Sequence, residues 1–212
     1  MVKDINKWFK NKSTIRVMYW GESDASISFC EDKYVVSEYI AEWYNTWSAI
    51  SYIIVGMYFS FTKLNEVGYA LIMTGIGTAV LHGTCRYYGQ WIDEMSMLFL
   101  SFATIREVGN YILSYVWLLL LWGIYLLYHQ VFAVFFVVFL LFQIYILRRG
   151  REIGLRKNKN MITNLCIGSA VSGGIVWLLD QFACEYVKDY QLHAWWHVLT
   201  AIAAFFGYYI LL

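Results

Sequence analysis

The chain has 212 residues, of which 60% are hydrophobic, 20% are aromatic and 15% are charged, and its formal net charge is +1. A soluble domain of this length does not need so much apolar surface, so the composition predicts an all-α integral membrane protein. The small net charge argues against nucleic acid as a partner.

Residues 1–37 are polar and carry several lysines, and we interpret them as an extramembrane arm before a membrane domain at 38–212. Seven apolar runs follow, each long enough to cross about 30 Å of hydrocarbon at ~1.5 Å per residue. The runs cover residues 38–62, 66–85, 90–108, 110–128, 131–148, 161–184 and 191–212. Because only helices and closed barrels satisfy their backbones in lipid, the pattern predicts a seven-transmembrane helix bundle.

The loop between the fifth and sixth runs determines the predicted orientation. It carries six Lys or Arg residues within a dozen positions, from Arg148 to Lys159. Such loops near membrane ends are typically cytosolic. Counting helices outwards from this loop places the N-terminal arm on the lumenal or outer side and the C-terminus in the cytosol.

The last run contains the stretch His193-Ala-Trp-Trp-His197. A spacing of four residues places both imidazoles on one face of a helix, where they can bind the same metal ion. Ionisable side chains in a membrane span are costly and usually mark a functional site. The pair therefore predicts part of a metal site, provided that a third ligand lies at the same depth.

Counting membrane crossings identifies a candidate for that third ligand, because alternate helix ends fall on the same side of the membrane. His82 lies near the end of the second run and Asp93 near the start of the third, so both lie on the same membrane side as His193 and His197. Three histidines leave a fourth coordination position open, which is typical of catalytic rather than structural zinc. The alternative is a set of three histidines that only form hydrogen bonds at helix ends.

The same argument applies to the cysteines. Cys30, Cys85 and Cys184 all fall at the non-cytosolic end, where disulfides persist. A bond between Cys30 and Cys184 would clamp the arm over the bundle, and Cys85 is a rival partner. Cys166 lies near the opposite end and is predicted to be free.

Three blocks of residues carry a family resemblance. The first contains Tyr19-Trp20-Gly21, Cys30-Glu31, Tyr34, Tyr39-Ile40-Ala41-Glu42-Trp43 and Asn45-Thr46. The second contains His82 and Gln90-Trp91-Ile92-Asp93-Glu94-Met95, and the third contains Trp177-Leu178-Leu179-Asp180, Cys184-Glu185 and Leu192-His193-Ala194-Trp195-Trp196-His197. Together these blocks resemble the alkaline ceramidases, which belong to a wider group of seven-span hydrolases.

The resemblance implies an enzyme that cleaves ceramide to sphingosine and a free fatty acid in the membrane of the endoplasmic reticulum or the Golgi. The zinc ligands that it implies are His82, His193 and His197, and the acidic catalytic residue is Asp93. Thr78 corresponds to a family serine. The implied disulfide joins Cys30 to Cys184.

The resemblance also implies a calcium site, to which Glu31 and Glu42 would contribute acidic ligands. Two positions depart from the family pattern, because Ser28 replaces an aspartate and Lys33 replaces an asparagine. Calcium binds six to eight oxygen ligands, and an ammonium group is not one of them. Lys33 would instead pair with Glu31 and Glu42, so we expect weak or absent calcium dependence.

In the implied reaction Asp93 accepts a proton from water and passes it to the leaving amine, or it orients a histidine from outside the ligand set. Thr78 is expected to donate a hydrogen bond to the developing oxyanion. Glu94 is expected to be solvated or paired, because it points elsewhere on its helix. Asp180 is either a polar anchor or a direct participant.

Two other functions are compatible with the same residues. One is a receptor-like protein of the progestin and adiponectin receptor kind, which would keep the three histidines and act on or sense another lipid. The other is a non-enzymatic membrane protein in which zinc is structural. The Cys-Glu and Tyr-Ile-Ala-Glu blocks favour the ceramidases over the receptors.

Overall fold

The structure is a computed structural model that describes residues 18–108, 111–128, 148–154 and 156–212, and these ranges are helical apart from the arm and the turns. The main helices are α1 (Trp43–Ser48), α2 (Ile50–Ser60), α3 (Asn65–Thr84), α4 (Tyr87–Val108), α5 (Tyr111–Tyr128), α6 (Lys159–Phe182), α7 (Cys184–Val187) and α8 (Leu192–Tyr209). A 3-10 turn at Lys188–Tyr190 precedes α8, and residues 148–153 are also helical.

Six of the seven predicted apolar runs coincide with helices. Helices α3, α4, α5, α6 and α8 each cover one run, and α1 and α2 together cover most of the first. The run at 131–148 lies outside the described residues apart from Arg148. By length and hydropathy, α3 and α6 could each cross a membrane. The regular structure of the described residues is therefore entirely helical, as predicted, and compatible with a helical membrane protein.

The first helix begins at Trp43, later than the predicted start at residue 38. The preceding backbone is bonded to the end of α3 and not to a helix of its own. The N–H of Ala41 donates to the carbonyl of Gly83 at 2.9 Å, and the N–H of Glu42 donates to the carbonyl of His82 at 3.0 Å. The non-helical arm therefore continues to Glu42.

The helical path is interrupted at Ala49, between α1 and α2, although the chain contains no proline. Two serine hydroxyls bond back to the chain at this position. Ser48 Oγ donates to the carbonyl of Asn45 at 2.9 Å, and Ser51 Oγ donates to the carbonyl of Ser48 at 2.8 Å. Such bonds compete with the helix and bend it. As a result, the short helix α1 packs against both α3 and α8.

Helices α3 and α4 form a tight hairpin through Cys85, whose φ of 52° ends α3. Two glycines allow the helix backbones to touch. A Cβ atom on Gly77 would lie 2.8 Å from the Cα of Asp93, and one on Gly89 would lie 2.9 Å from the Cα of Leu81. This close approach places the Asp93 side chain directly beside α3.

The interior contains many polar side chains and the surface contains many large apolar ones. Buried polar residues of the helices include Thr74, Thr78, His82, Gln90, Glu94, Ser96, Ser101, Thr104, His193 and His197. Exposed apolar side chains include Phe61, Ile112, Leu119, Leu127 and Phe182, each more than 70% exposed. Apolar surface of this extent is unusual for a protein surrounded by water and is compatible with a lipid environment.

Candidate metal centre

The structure brings His82, His193 and His197 together, as the count of membrane crossings predicts. His82 comes from the last turns of α3, and the other two come from the first turns of α8. All three side chains are buried, and each offers a nitrogen that lies within 4.8 Å of those of the other two. One metal ion could be held by all three rings.

The ring of His82 is oriented by Glu42. Its Nδ1 lies 2.6 Å from Glu42 Oε2, and both side chains are almost fully buried. Because a carboxylate accepts hydrogen bonds, the proton of a neutral His82 lies on Nδ1. The lone pair of Nε2 is then available to a metal, an arrangement typical of ligating histidines.

The ring of His197 is oriented in the same sense by Ser48. Its Nδ1 lies 2.7 Å from Ser48 Oγ, and the Ser48 hydroxyl donates its single proton to the carbonyl of Asn45. In that arrangement Ser48 accepts a hydrogen bond from Nδ1–H of His197. This leaves Nε2 of His197 with a free lone pair as well.

The third ring has a buried nitrogen that the protein does not satisfy. Nδ1 of His193 has no hydrogen-bond partner among the described residues. Buried polar atoms are nearly always paired, so such an atom requires an explanation. A cation bound at that nitrogen would supply one. Two imidazoles held with their lone pairs free and one unpaired ring nitrogen fit a zinc ion, for which imidazole is a preferred ligand.

A carboxyl and a hydroxyl group lie beside the histidines. Thr78 Oγ1 donates a hydrogen bond of 2.6 Å to Asp93 Oδ1, across the interface between α3 and α4. The hydroxyl proton, which the sequence argument assigned to an oxyanion, is directed at Asp93 in this structure. Thr78, Asp93 and the three histidines all line one cavity.

The cavity has a volume of about 430 Å³. Its lining follows α8 from His193 to Tyr208, which corresponds to roughly 22 Å at ~1.5 Å per residue. The walls beyond the polar end are mainly apolar and include Leu71, Leu100, Ala170, Ala203 and Leu211. The shape combines a polar end, where the histidines lie, with a long apolar body.

The arm covers the polar end of this cavity. The ring of Phe29 lies 4.7 Å from that of His82 and 3.9 Å from that of His193, measured between centroids. The next residue, Cys30, forms a disulfide with Cys184, and its N–H donates to Asp180 Oδ2 at 3.4 Å. Asp180 is thus an anchor for the arm.

The other two cysteines are free thiols. Cys85 was the rival disulfide partner, but it is buried at the end of α3, and Cys166 is buried in α6.

In the implied calcium site, Lys33 is paired with one of the two glutamates. Lys33 Nζ lies 3.1 Å from Glu42 Oε1. Burial alone would lower the pKa of Lys33, but the negative charges of Glu42 and Glu31 raise it above its usual range. Burial raises the pKa of Glu31, although the backbone N–H groups of Asn45 and Tyr44, which donate to its carboxylate, act in the opposite direction.

Three further residues contribute to the site without any indication of their role in the sequence. Ser48 holds His197, Phe29 stacks on two histidines, and Gln90 joins the arm to the bundle by accepting the N–H of Ser26 at 2.7 Å. Each contact joins residues far apart in the chain, and no local spacing indicates it. Glu94 is buried and paired, since it accepts a hydrogen bond of 2.8 Å from Gln90 Nε2.

The fold and the site define a helical protein with a buried three-histidine site able to hold a metal ion. The family model for ceramidases matches residues 21–212, so the chain belongs to the ceramidase family.

The chain is similar to alkaline ceramidases from several kingdoms. It is 27% identical to alkaline ceramidase YPC1 of Saccharomyces cerevisiae over 239 residues, which cover 88% of this chain and 75% of the yeast protein. It is 26% identical to alkaline ceramidase 3 of Mus musculus over 229 residues, with 88% and 82% covered. It is 25% identical to an alkaline ceramidase of Arabidopsis thaliana over 215 residues, with the same coverage of 88% and 82%.

Proposed function

We propose that this protein is a zinc-dependent intramembrane amide hydrolase that cleaves ceramide to sphingosine and a free fatty acid. One observation carries the proposal: three histidine nitrogens within 4.8 Å of one another line the same cavity as the carboxyl group of Asp93. Hydrolysis of an unreactive amide requires activation of water and of the carbonyl group, which a metal site with a nearby acid or base can provide. The names of the similar proteins support ceramide as the substrate.

The zinc ligands in this proposal are His82, His193 and His197. When bound, a zinc ion supplies Lewis acidity, which acidifies a water molecule and polarises the amide carbonyl of the substrate. Glu42 and Ser48 keep two of the rings in the tautomer that leaves Nε2 free. The protein therefore presents its ligands already oriented, which limits the reorganisation that metal binding requires.

Asp93 is the proton carrier. Its carboxylate accepts the proton of the attacking water and then delivers it to the nitrogen of the leaving sphingoid base, so that the amide bond breaks without release of a free amide anion. Thr78 holds this carboxylate through its 2.6 Å hydrogen bond. Once Asp93 is protonated, its oxygen is a weaker acceptor, and the Thr78 hydroxyl is released to donate to the oxyanion.

The cavity suits a lipid with a polar amide and long apolar chains. Its polar end would hold the amide beside the histidines, while the apolar walls along α6 and α8 exclude water from the hydrocarbon. The exposed apolar surface supports a position in the bilayer. We propose the endoplasmic reticulum or the Golgi as the membrane, as the resemblance to alkaline ceramidases implies. The basic residues from Arg148 to Lys159 support a cytosolic C-terminus and a lumenal arm.

The test measures zinc content per chain and ceramide turnover on one preparation of detergent-purified protein. We expect the wild type to contain one zinc ion and to cleave ceramide. The variant His82→Ala should lose both, whereas Asp93→Asn should keep the metal and lose turnover about 10²- to 10⁴-fold. Asp189→Asn, which changes an exposed aspartate in the 3-10 turn, is the matched control and should behave as the wild type.

Each failure has a distinct meaning. Zinc without cleavage of any lipid amide would refute the enzyme and favour structural zinc. Zinc with cleavage of another lipid amide, but not of ceramide, would refute the substrate and favour the receptor-like function. Full turnover by His82→Ala would refute the metal-dependent mechanism.

A further inference from the structure

We propose that the ammonium group of Lys33 replaces a divalent cation beside the metal centre. In this view Lys33 is a positioning residue that holds Glu42, and through it His82, so that the protein works without calcium. The part of the inference that concerns His82 rests on the proposed metal site. The part that concerns calcium rests on the arm alone.

The residues of the implied calcium site do not fit calcium in this chain. That ion needs six to eight oxygen ligands with free lone pairs. Position 33 offers an ammonium group where calcium would need an oxygen ligand, and that group already contacts Glu42. The oxygens of Glu31 and Glu42 also accept hydrogen bonds from the protein, which leaves fewer lone pairs for an ion. Glu31 Oε1 and Oε2 accept the backbone N–H groups of Tyr44 at 2.7 Å and Asn45 at 2.8 Å.

The Glu42 carboxylate is equally occupied. Its Oε1 lies 3.1 Å from Lys33 Nζ. Its Oε2 accepts Nδ2–H of Asn45 at 3.0 Å and pairs with Nδ1 of His82 at 2.6 Å. An incoming cation would have to displace a covalently tethered positive charge from the acidic pair.

The charges explain why some cation is needed at this position. Both carboxylates are buried, with 7% of Glu31 and 1% of Glu42 exposed. Buried charges are strongly unfavourable unless they are paired and hydrogen-bonded. Lys33 lies in the same arm, is itself mostly buried, and feels the negative charge of both glutamates. Lys33 therefore supplies, from within the protein, the positive charge that a bound cation would otherwise supply to the two carboxylates.

The contacts form a chain that ends at the proposed metal ligand. Lys33 fixes Oε1 of Glu42, and this fixes the direction in which Oε2 faces His82. Loss of the lysine would leave a buried carboxylate held from one side only. His82 would then be less firmly held in the tautomer that binds metal, so the effect should extend to metal retention.

The first experiment compares Lys33→Met with Lys33→Arg in full-length, detergent-purified protein. Melting temperature and the zinc retained after dialysis against graded chelator are measured without any substrate. Lys33→Met should lower the melting temperature on the order of 5 °C and weaken zinc retention about 10-fold. Lys33→Arg should keep most of both, because it preserves the charge. The control is Lys188→Met, which removes an exposed lysine 3.9 Å from Asp32.

The second experiment tests calcium directly. Melting temperature and ceramide turnover are measured in resin-treated, calcium-free buffer with and without ~5 mM calcium chloride, which saturates even weak protein calcium sites. The wild type should change less than about two-fold in turnover and about 1 °C in melting temperature, within ordinary scatter. The double variant Ser28→Asp/Lys33→Asn, which restores two oxygen donors, should gain several degrees in calcium.

Three results would overturn the inference. One is a wild type whose stability or turnover requires calcium. Another is a Lys33→Met variant that matches Lys188→Met in melting temperature and zinc retention. The third is a folded double variant that shows no calcium response. A wild type that binds zinc and shows the expected ranking of variants, yet cleaves no ceramide, would refute the proposed function and leave this inference standing.

Discussion

The hydrogen bond between Ser48 and His197 allows a sharp test of how the protein prepares its metal site. Ser48 lies at the break between α1 and α2, and its oxygen accepts Nδ1–H of His197 at 2.7 Å. The substitution Ser48→Ala removes the hydroxyl oxygen that accepts this hydrogen bond and changes no other atom of the helix. The imidazole can then carry its proton on Nε2, the nitrogen that the metal requires.

The free-energy cost of Ser48→Ala can be estimated in two independent ways. A buried donor left without a partner costs about 1–3 kcal/mol. Removal of a group that orients a ligating histidine weakens metal affinity roughly 10- to 100-fold, which corresponds to about 1.4–2.8 kcal/mol. The two ranges agree. For a chain of this length they predict a melting temperature lower by roughly 3–10 °C in the metal-loaded protein.

The assay is zinc retained per chain after dialysis against graded chelator, together with the melting temperature followed by tryptophan fluorescence. Ser51→Ala is the matched control, because Ser51 Oγ lies one turn away and donates to the backbone carbonyl of Ser48 at 2.8 Å, without contacting the ring of His197. Equal loss in both variants would mean that the serines only shape the helix break. No loss in Ser48→Ala would refute the role of this bond in holding the ring.

Three further predictions concern the arm and the helix interface. Cys30→Ser removes the disulfide and should destabilise the protein by about 2–5 kcal/mol, measured as a lower melting temperature, with a further loss of turnover because the arm covers the site. Gly77→Ala would press a methyl group against the backbone of Asp93, so it should cost about 1–3 kcal/mol and lower turnover, whereas Gly168→Ala would add a methyl group in open space among the described residues. The stability that charged Lys33 adds should be fully present below the ordinary lysine pKa of about 10.4 and should be lost as pH rises through its raised folded-state pKa, measured as the difference in melting temperature from Lys33→Met across pH.

Each of these has an outcome that contradicts it. If Cys30→Ser melted at the wild-type temperature, the disulfide would not contribute to stability. If Gly77→Ala and Gly168→Ala had equal turnover, the close approach of α3 and α4 would not position Asp93. If the difference between wild type and Lys33→Met vanished well below pH 10, the charge of Lys33 would not be its source.

The helical fold and the meeting of the histidines could both be predicted because they depend on order and length. Long apolar runs predict helices wherever they occur, and helices that reverse direction in sequence bring alternate ends together. With every intervening run taken as one membrane crossing, His82 at the end of one run and His193 at the start of another are predicted at the same end of the bundle. The structure places their ring centroids 5.0 Å apart, a distance that the counting itself does not specify.

The start of the first helix could not be predicted in the same way. Residues 38–42 are Glu-Tyr-Ile-Ala-Glu, and their three apolar residues join directly onto the apolar run that follows. Their backbone bonds to the end of α3, and this contact exists only once α3 has packed against the arm. Local hydropathy contains no information about such a partner, so the predicted boundary fell too early.

The sequence by itself determined the helical class, the helix ends that meet, the three histidines and the unusual lysine at position 33. Those features depend on residue type and on distance along the chain. Only the tertiary structure decided which groups hold the rings, because Ser48 and His197 are 149 residues apart and meet at 2.7 Å through a break in a helix. It also decided that, of the two glutamates expected to pair with Lys33, Glu42 is the one whose oxygen lies 3.1 Å from its ammonium group, since side-chain direction in a non-helical arm follows from packing and not from periodicity.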